Sequence, residues 1–298
     1  MILRSVAVHD GSFHADEVSA CALLLAFGLV DRDKIVRSRD PVILGQCEYV
    51  CDVGGIYDPA RKLFDHHQAS YQGSFSSAGM ILLFLRDQGI LNAKEYQFFN
   101  DSLMKGVDDH DNGKAPLIPG VSSFSQVISN FAPIEYEADS EKEMTAFLTA
   151  VDFAHGHMKR LHERYLYGVS CRLVVEEAMR RYKDCLIFDR SLPWQDNFFD
   201  MGGERHPASF VMMPSGTHWK LRGIPPTSYD RMKVRCPLPL EWAGLMQEDL
   251  AAITGIPGAV FCHKGRFISV WGSYEQALKA LELALKNGGK KSCEGQPL

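Results

Sequence analysis

LRSVAVHDGSFHADEVSACALLLAFG (residues 3–28) passes, within a few positions, from an apolar β-branched run to a helical period. The first six residues have the composition of a strand. A polar turn containing Gly11 follows, and the apolar residues after it recur at helical spacing until Gly28 closes the segment. Asp16 and Glu17 fall in the first turn, where a helix N-terminus favours negative charge. Strand, tight turn and helix make the first half of a βαβ unit, and the grammar continues. KIVRS (34–38), EYVCDV (48–53) and KLFDHH (62–67) read as strands, and SSAGMILLFLRDQG (76–89) as a helix ending at Gly89. The expected class is therefore α/β, with an N-terminal domain built on a largely parallel sheet.

Residues 138–182 are helical in pattern and laced with charge, as one long helix or a helical pair. Beyond them CLIFDR, ASFVMMP, HWKLRGIP, AVFCHKG and RFISVW alternate with Gly/Pro turns, and YEQALKALELALKNGG ends the fold as a glycine-capped helix. The expected division is a first domain over 1–182, a smaller C-terminal α/β domain over 183–290, and a flexible tail over 291–298. His155, His157 and His162 read as ordinary exposed helix residues.

The bulk properties limit the chemistry. A 298-residue chain with 46% hydrophobic and 23% charged residues is of ordinary globular composition and long enough for two cores. Its net charge of -5 offers a polyanion no general attraction, so any nucleic acid must be held by a local basic patch or by metal. Neither a secretory h-region nor a membrane-spanning apolar run is present, so a cytoplasmic chain without a membrane partner is expected. The eight cysteines (21, 47, 51, 171, 185, 236, 262, 293) lack disulfide-framework spacing and read as reduced thiols. Cys47 and Cys51 have no second pair that would complete a zinc site.

The chemistry collects where apolar runs end. His9, His14 and Asp16 follow the first strand. Asp52, before Gly54 and Gly55, ends a second, and Asp65, His66 and His67 end a third. VDDHDNG then brings Asp108 and Asp111. In open α/β sheets the carboxyl ends of strands are where ligands bind. Taken singly, each residue is as well explained by a turn, an N-cap or solvated surface. Together, so many carboxylates in one cleft would repel unless cations compensate. Carboxylate and imidazole donors without cysteine suit two divalent cations, Mn²⁺ or Mg²⁺ by preference. Phosphate loops and a Gly-x-Ser-x-Gly elbow are absent.

The order of these motifs resembles the DHH phosphoesterase superfamily. HDGSFHADE, DVGGIYDPARKLFDHHQ, VDDHDNG, PLPLEWAG and GAVFCHKGRF together resemble, within it, the Myg (melanocyte proliferating gene) family of metal-dependent hydrolases, from about residue 5 to 287. The resemblance implies a DHH-like first domain carrying two metals, a second domain closing over substrate, and Mn²⁺-dependent phosphodiester hydrolysis, with exonuclease activity on RNA. It makes His9, His14, Asp16, Asp52, His66 and Asp108 metal ligands, with Asp52 bridging. His67 would orient or protonate substrate, Asp65 would hold an imidazole, and Asp111 would be either a supporting partner or the ligand itself. The chain departs from the superfamily in having His14 where an Asp is usual, one residue further from His9.

In the second domain Arg235, His263 and Lys264 have the chemistry to bind phosphate. Trp242 and Trp271 read either as stacking platforms or as core. Ser76 and Ser77 are placed to cap a helix. The expected function is metal-dependent phosphodiester hydrolysis, as a 3'-5' exonuclease on RNA or short oligonucleotides. A small-molecule phosphohydrolase (pyrophosphate, cyclic dinucleotide or nucleotide phosphate) and a non-catalytic, metal-stabilised binding module are the alternatives. The sequence leaves open whether the chain forms a homodimer.

Overall fold

The opening strand is β1 (Ile2–Val8) in the computed structural model, which describes residues 1–135, 138–230 and 233–288. With β2 (Ile35–Arg37), β3 (Cys47–Cys51), β4 (Tyr57–Asp58) and β5 (Leu63–Phe64) it forms a sheet ordered β2-β1-β3-β5-β4. β1 pairs parallel with β2 and β3, and β3 with β5; only β4 runs antiparallel. The two-residue β4 has no period long enough to show in the sequence.

The helices of this unit are α1 (Ala15–Ala26), α2 (Pro41–Leu44), α3 (Ser77–Asp87), α4 (Ala93–Phe99), α5 (Lys105–Asp111), α6 (Phe124–Ser129) and α7 (Ser140–Ser170). A π-helical turn, Asn100–Met104, joins α4 to α5. Every residue of α1 from Ala15 to Leu24 is buried, because α3, α5 and α6 pack on it as well as the sheet. His162 is not the exposed residue expected: its ring lies 5.4 and 5.5 Å from those of Phe27 and Phe99, and its Nε2 is 3.2 Å from Glu95.

The chain divides into Met1–Tyr165 and Leu166–Leu298, so the division falls inside α7, earlier than the 182/183 boundary the pattern suggested. The second unit holds α8 (Arg172–Arg181), β6 (Cys185–Ile187), α9 (Gln195–Asp200), β7 (Phe210–Ser215), β8 (His218–Gly223), α10 (Gln247–Thr254), β9 (Ala259–Cys262), β10 (Ile268–Trp271) and α11 (Tyr274–Gly288). Its sheet is ordered β6-β7-β8-β10-β9, with β6 and β7 parallel and the rest antiparallel. Trp242 and Trp271 are buried against each other edge to face, 5.6 Å between centroids, so they are core.

The glycine cap after α11 and the tail 291–298 lie outside the described residues. The seven described cysteines are free thiols; Cys293 lies outside the described residues. Among the described residues no helix is long and apolar enough to cross a membrane.

Candidate metal centre

The strand order explains why residues far apart in sequence meet. β1, β3 and β5 are parallel neighbours, so their carboxyl ends lie side by side, and the residues after them are His9, Asp52 and Asp65–His67. Asp52 occupies the middle position. Its backbone is left-handed (φ 60°), a conformation that costs a non-glycine residue free energy and is often kept at functional sites. Gly54 (φ 97°) then turns the chain back. The N-terminus of α1 adds His14, Asp16 and Glu17 from below, and the end of α5 adds Asp111.

Three groups of donor atoms result, each with its atoms within 4.8 Å of one another: His9, His14, Glu17 and Asp52; Asp52, His66 and His67; and Asp16, His66 and Asp111. Asp52 and His66 each belong to two groups. His9 Nε2 is 3.0 Å from Glu17 Oε1 and 3.3 Å from Asp52 Oδ2. His66 Nε2 is 3.3 Å from Asp52 Oδ1 and 3.2 Å from Asp111 Oδ2. The groups line a cleft of about 990 Å³.

Asp65 belongs to none of these groups but lies beside them in the cleft and fixes their frame. Its Oδ2 accepts from Gly55 N at 2.6 Å, and its Oδ1 accepts from His67 N at 3.0 Å and lies 2.9 Å from His67 Nδ1. The exposed imidazole of His67 is therefore held at one nitrogen with the other directed outward.

Burial sets the electrostatics. It raises Asp16 well above the usual carboxylate range, with the Asp52 charge adding to the effect, and it raises Asp111 as well. Burial would raise Asp52 too, but the facing imidazoles of His66 and His9 outweigh it and hold the carboxyl at about 2. His9 is opposed by burial yet pushed up to about 10 by Asp52 and Glu17, and Asp52 raises His66. Without metal, then, protons neutralise the cluster.

Protons do not satisfy every atom. Asp16 Oδ1, Asp52 Oδ1 and His66 Nε2 are buried without a hydrogen-bond partner; the approaches of His66 Nε2 lack hydrogen-bond alignment. Buried polar atoms are paired in the great majority of cases, and three orphans on side chains that share His66 as a neighbour fit a divalent cation bound by oxygen and imidazole.

Two expectations are corrected. Asp108, expected as a ligand, lies in none of the three groups. Its Oδ1 accepts from Ser76 N, Ser76 Oγ and Gly79 N at 2.9, 2.7 and 3.2 Å, so it caps α3 from another helix, and Asp111 one turn later faces the cleft. The Ser76 hydroxyl accordingly makes no cap of its own, and the Ser77 hydroxyl donates to Asp16 Oδ2 at 2.9 Å. Arg235, expected to meet phosphate, gives four of its five N–H groups to the backbone carbonyls of Pro225, His206, Ala208 and Gly203. His263 and Lys264 sit in the β9–β10 turn of the second unit. There His263 Nδ1 accepts from Gly265 N at 2.9 Å, and Lys264 is exposed.

Glu17 and Arg37 belong to the site although the pattern did not mark them. Glu17 is fully buried and accepts from His14 N at 2.9 and 3.0 Å. A Glu three residues into a helix already has a capping explanation, which hid its second contact, to His9. Arg37 ends β2, lies against Phe13 and Phe147, and donates to the Gly11 carbonyl, so it anchors the loop carrying His9 and His14. Its place directly after a β-branched strand was the one available signal.

Fold and site define a metal-binding α/β protein whose carboxylates and imidazoles gather at the carboxyl edge of a parallel sheet. Residues 5–285 match the family model MYG1_exonuc, described as Uncharacterised protein family (UPF0160). The chain is 54% identical over 285 residues to the "MYG1 protein" of Chlamydia trachomatis, covering 96% of this chain and 98% of that one. It is 28% identical over 322 residues to the "MYG1 exonuclease" of Homo sapiens, covering 94% and 85%. The chain belongs to this family. Among solved structures, RecJ of Thermus thermophilus with Mn²⁺ aligns over 95% of this chain and 52% of its own at 13% identity and a TM-score of 0.29, too slight a likeness to bear on the fold.

Proposed function

We propose that the chain is a metal-dependent phosphodiester hydrolase, a 3'-5' exonuclease on RNA or short oligonucleotides, working through two divalent cations, Mn²⁺ by preference and Mg²⁺ as the alternative. The observation that carries the reading is the trio of unpartnered buried atoms on Asp16, Asp52 and His66. The name "MYG1 exonuclease" borne by the human and rat relatives supports it.

His9, His14, Glu17 and Asp52 would hold one cation, and Asp16, His66 and Asp111 the other, with Asp52 between them. When bound, such cations supply the positive charge that stabilises in-line displacement at phosphorus. The chain's own residues do the rest. Asp65 holds the His67 ring so that its outer nitrogen can give a proton to the departing oxygen. Arg37 keeps the Gly11 loop, and with it His9 and His14, in register.

Among the described residues Arg39 is the one Lys or Arg in the cleft lining, and its Nε lies 3.1 Å from Asp10. With so little cationic side chain at hand, the reacting phosphate depends on the cations, which favours a short strand over a long duplex.

Metal-stripped protein with end-labelled RNA and added Mn²⁺ or Mg²⁺ tests the reading. Metal-dependent mononucleotide release that falls at least about 100-fold in Asp52→Ala is expected. Phosphate release from pyrophosphate with the RNA left intact would replace the reading by a small-molecule phosphohydrolase. Bound metal without turnover on any substrate would replace it by a binding module.

A further inference from the structure

The second unit's sheet is sealed on one face and half open on the other. Along β8 the side chains alternate. Leu221 joins the buried core under α10 and α11, while Lys220 and Arg222 point the opposite way. The register sets Lys220 between Met213 of β7 and Val270 of β10, and Arg222 between Val211 and Ile268, with Phe261 of β9 beyond Val270. On the β6–β7 side of this face Val211 and Met213 are buried with residues of α8 and α9. On the β8–β10–β9 side, Lys220, Arg222, Val270, Ile268 and Phe261 are all only half-buried.

Neither cation has an ion-pair partner among the described residues. Among the described residues, Lys220 Nζ reaches only Ser191 Oγ, at 3.5 Å, and no hydrogen bond or ion pair engages Arg222. Burial, and then the neighbouring Arg222 charge, push the Lys220 ammonium below its ordinary value. Adjacent like charges partly withdrawn from water and left unpaired are less favourable than the same charges beside an anion. A pocket of about 250 Å³ opens beside them, lined also by Trp194, Gln195 and the exposed Asp196, whose carboxylate makes no ion pair with either cation.

We propose that this half-open face binds the backbone of a single-stranded nucleic acid, with Lys220 and Arg222 on successive phosphates and the Phe261 ring offered to a base. The nature of the anion rests on the nuclease reading above. Alternate positions on one strand face are about 6.7 Å apart, a spacing comparable to that of phosphates in an extended strand. Half-buried aromatic and apolar surface beside cations is what sequence-tolerant binding of single strands uses.

The test is the anisotropy of a labelled RNA decanucleotide on the full chain carrying Asp52→Asn to block turnover, with Mn²⁺ present, over a range of salt. Lys220→Gln and Arg222→Gln should each weaken binding about 3- to 10-fold and lower the salt slope by about 1. Phe261→Leu should weaken it without changing the slope. With Asp52 intact, the same glutamine variants should hydrolyse a dinucleotide as the parent does. Each removes a repulsion, so neither should lower the thermal midpoint.

Unchanged affinity and slope would overturn the site. Equal weakening for inorganic phosphate and for the decanucleotide would also overturn it, by reducing it to a small-anion pocket. RNA binding that depends on these cations, without any Mn²⁺-dependent release, would sink the nuclease reading and leave the site standing.

Discussion

Asp108 and Asp111 lie one helical turn apart on α5, and the fold gives them opposite tasks. Asp108 holds the N-terminus of α3 through Ser76 and Gly79, and a Cβ at Gly79 would overlap its carboxylate, so glycine is required there. Asp111 has its Oδ2 beside His66 Nε2 in the cleft. Asp108→Ala should therefore cost the metal-free protein about 1–3 kcal/mol, since buried donors lose their acceptor. Asp111→Ala should leave that stability nearly unchanged and weaken Mn²⁺ binding at least about 10-fold. Denaturant melts and Mn²⁺ titrations of both variants check this, and the reverse assignment would show as the reverse pattern. The sequence marked VDDHDNG as chemically active because the residue types are right; one turn of helix, invisible to composition, decides which carboxylate reaches the cleft.

At the level of elements, most of the strands and helices were legible because apolar periodicity is a local property. The exceptions have physical causes. β4, α2, α4, α6, α9 and α10 went unread because each is eight residues or fewer, too short to show a period, and α3 is capped by a carboxylate from α5 rather than by its own Ser76. Arg235 belongs here as well. Its guanidinium links the segment after α9 to the chain following β8 through carbonyls of Gly203, His206, Ala208 and Pro225, stacked over Phe198 at 5.4 Å. No pattern search finds it, since the partners are backbone atoms. Arg235→Ala orphans these acceptors and should destabilise the second unit by about 2–4 kcal/mol, and Arg235→Lys should recover little, having no planar fork. Bound Mn²⁺ per chain should stay the same. A loss of metal with unaltered stability would show that the residue serves the first unit instead.

For the whole molecule, the cluster couples metal, protons and folding. Metal binds only the folded site, so Mn²⁺ at about 100 times its dissociation constant should stabilise the protein by about 2.7 kcal/mol. The size of that effect should depend on pH. In the metal-free protein the His9 imidazole is raised to about 10; its protonation therefore contributes stability in full below its unfolded value near 6.5 and loses it as pH rises through about 10. A cation must displace that proton, so affinity grows with pH. The rise in thermal midpoint on adding a fixed Mn²⁺ concentration should be larger at pH 8 than at pH 6; an equal or smaller rise would remove His9 from the ligand set. By itself the sequence determined the alternation of strands and helices, the parallel character of the first sheet, and the donor types that collect after β1, β3 and β5, because each is written in neighbouring residues. Only the tertiary structure decided that Asp52 stands at the centre, that Glu17 joins His9, that Asp111 and not Asp108 faces the cleft, and that Arg235 braces backbone. Those outcomes depend on strand order, helix phase and burial, which bring together atoms that no local pattern connects.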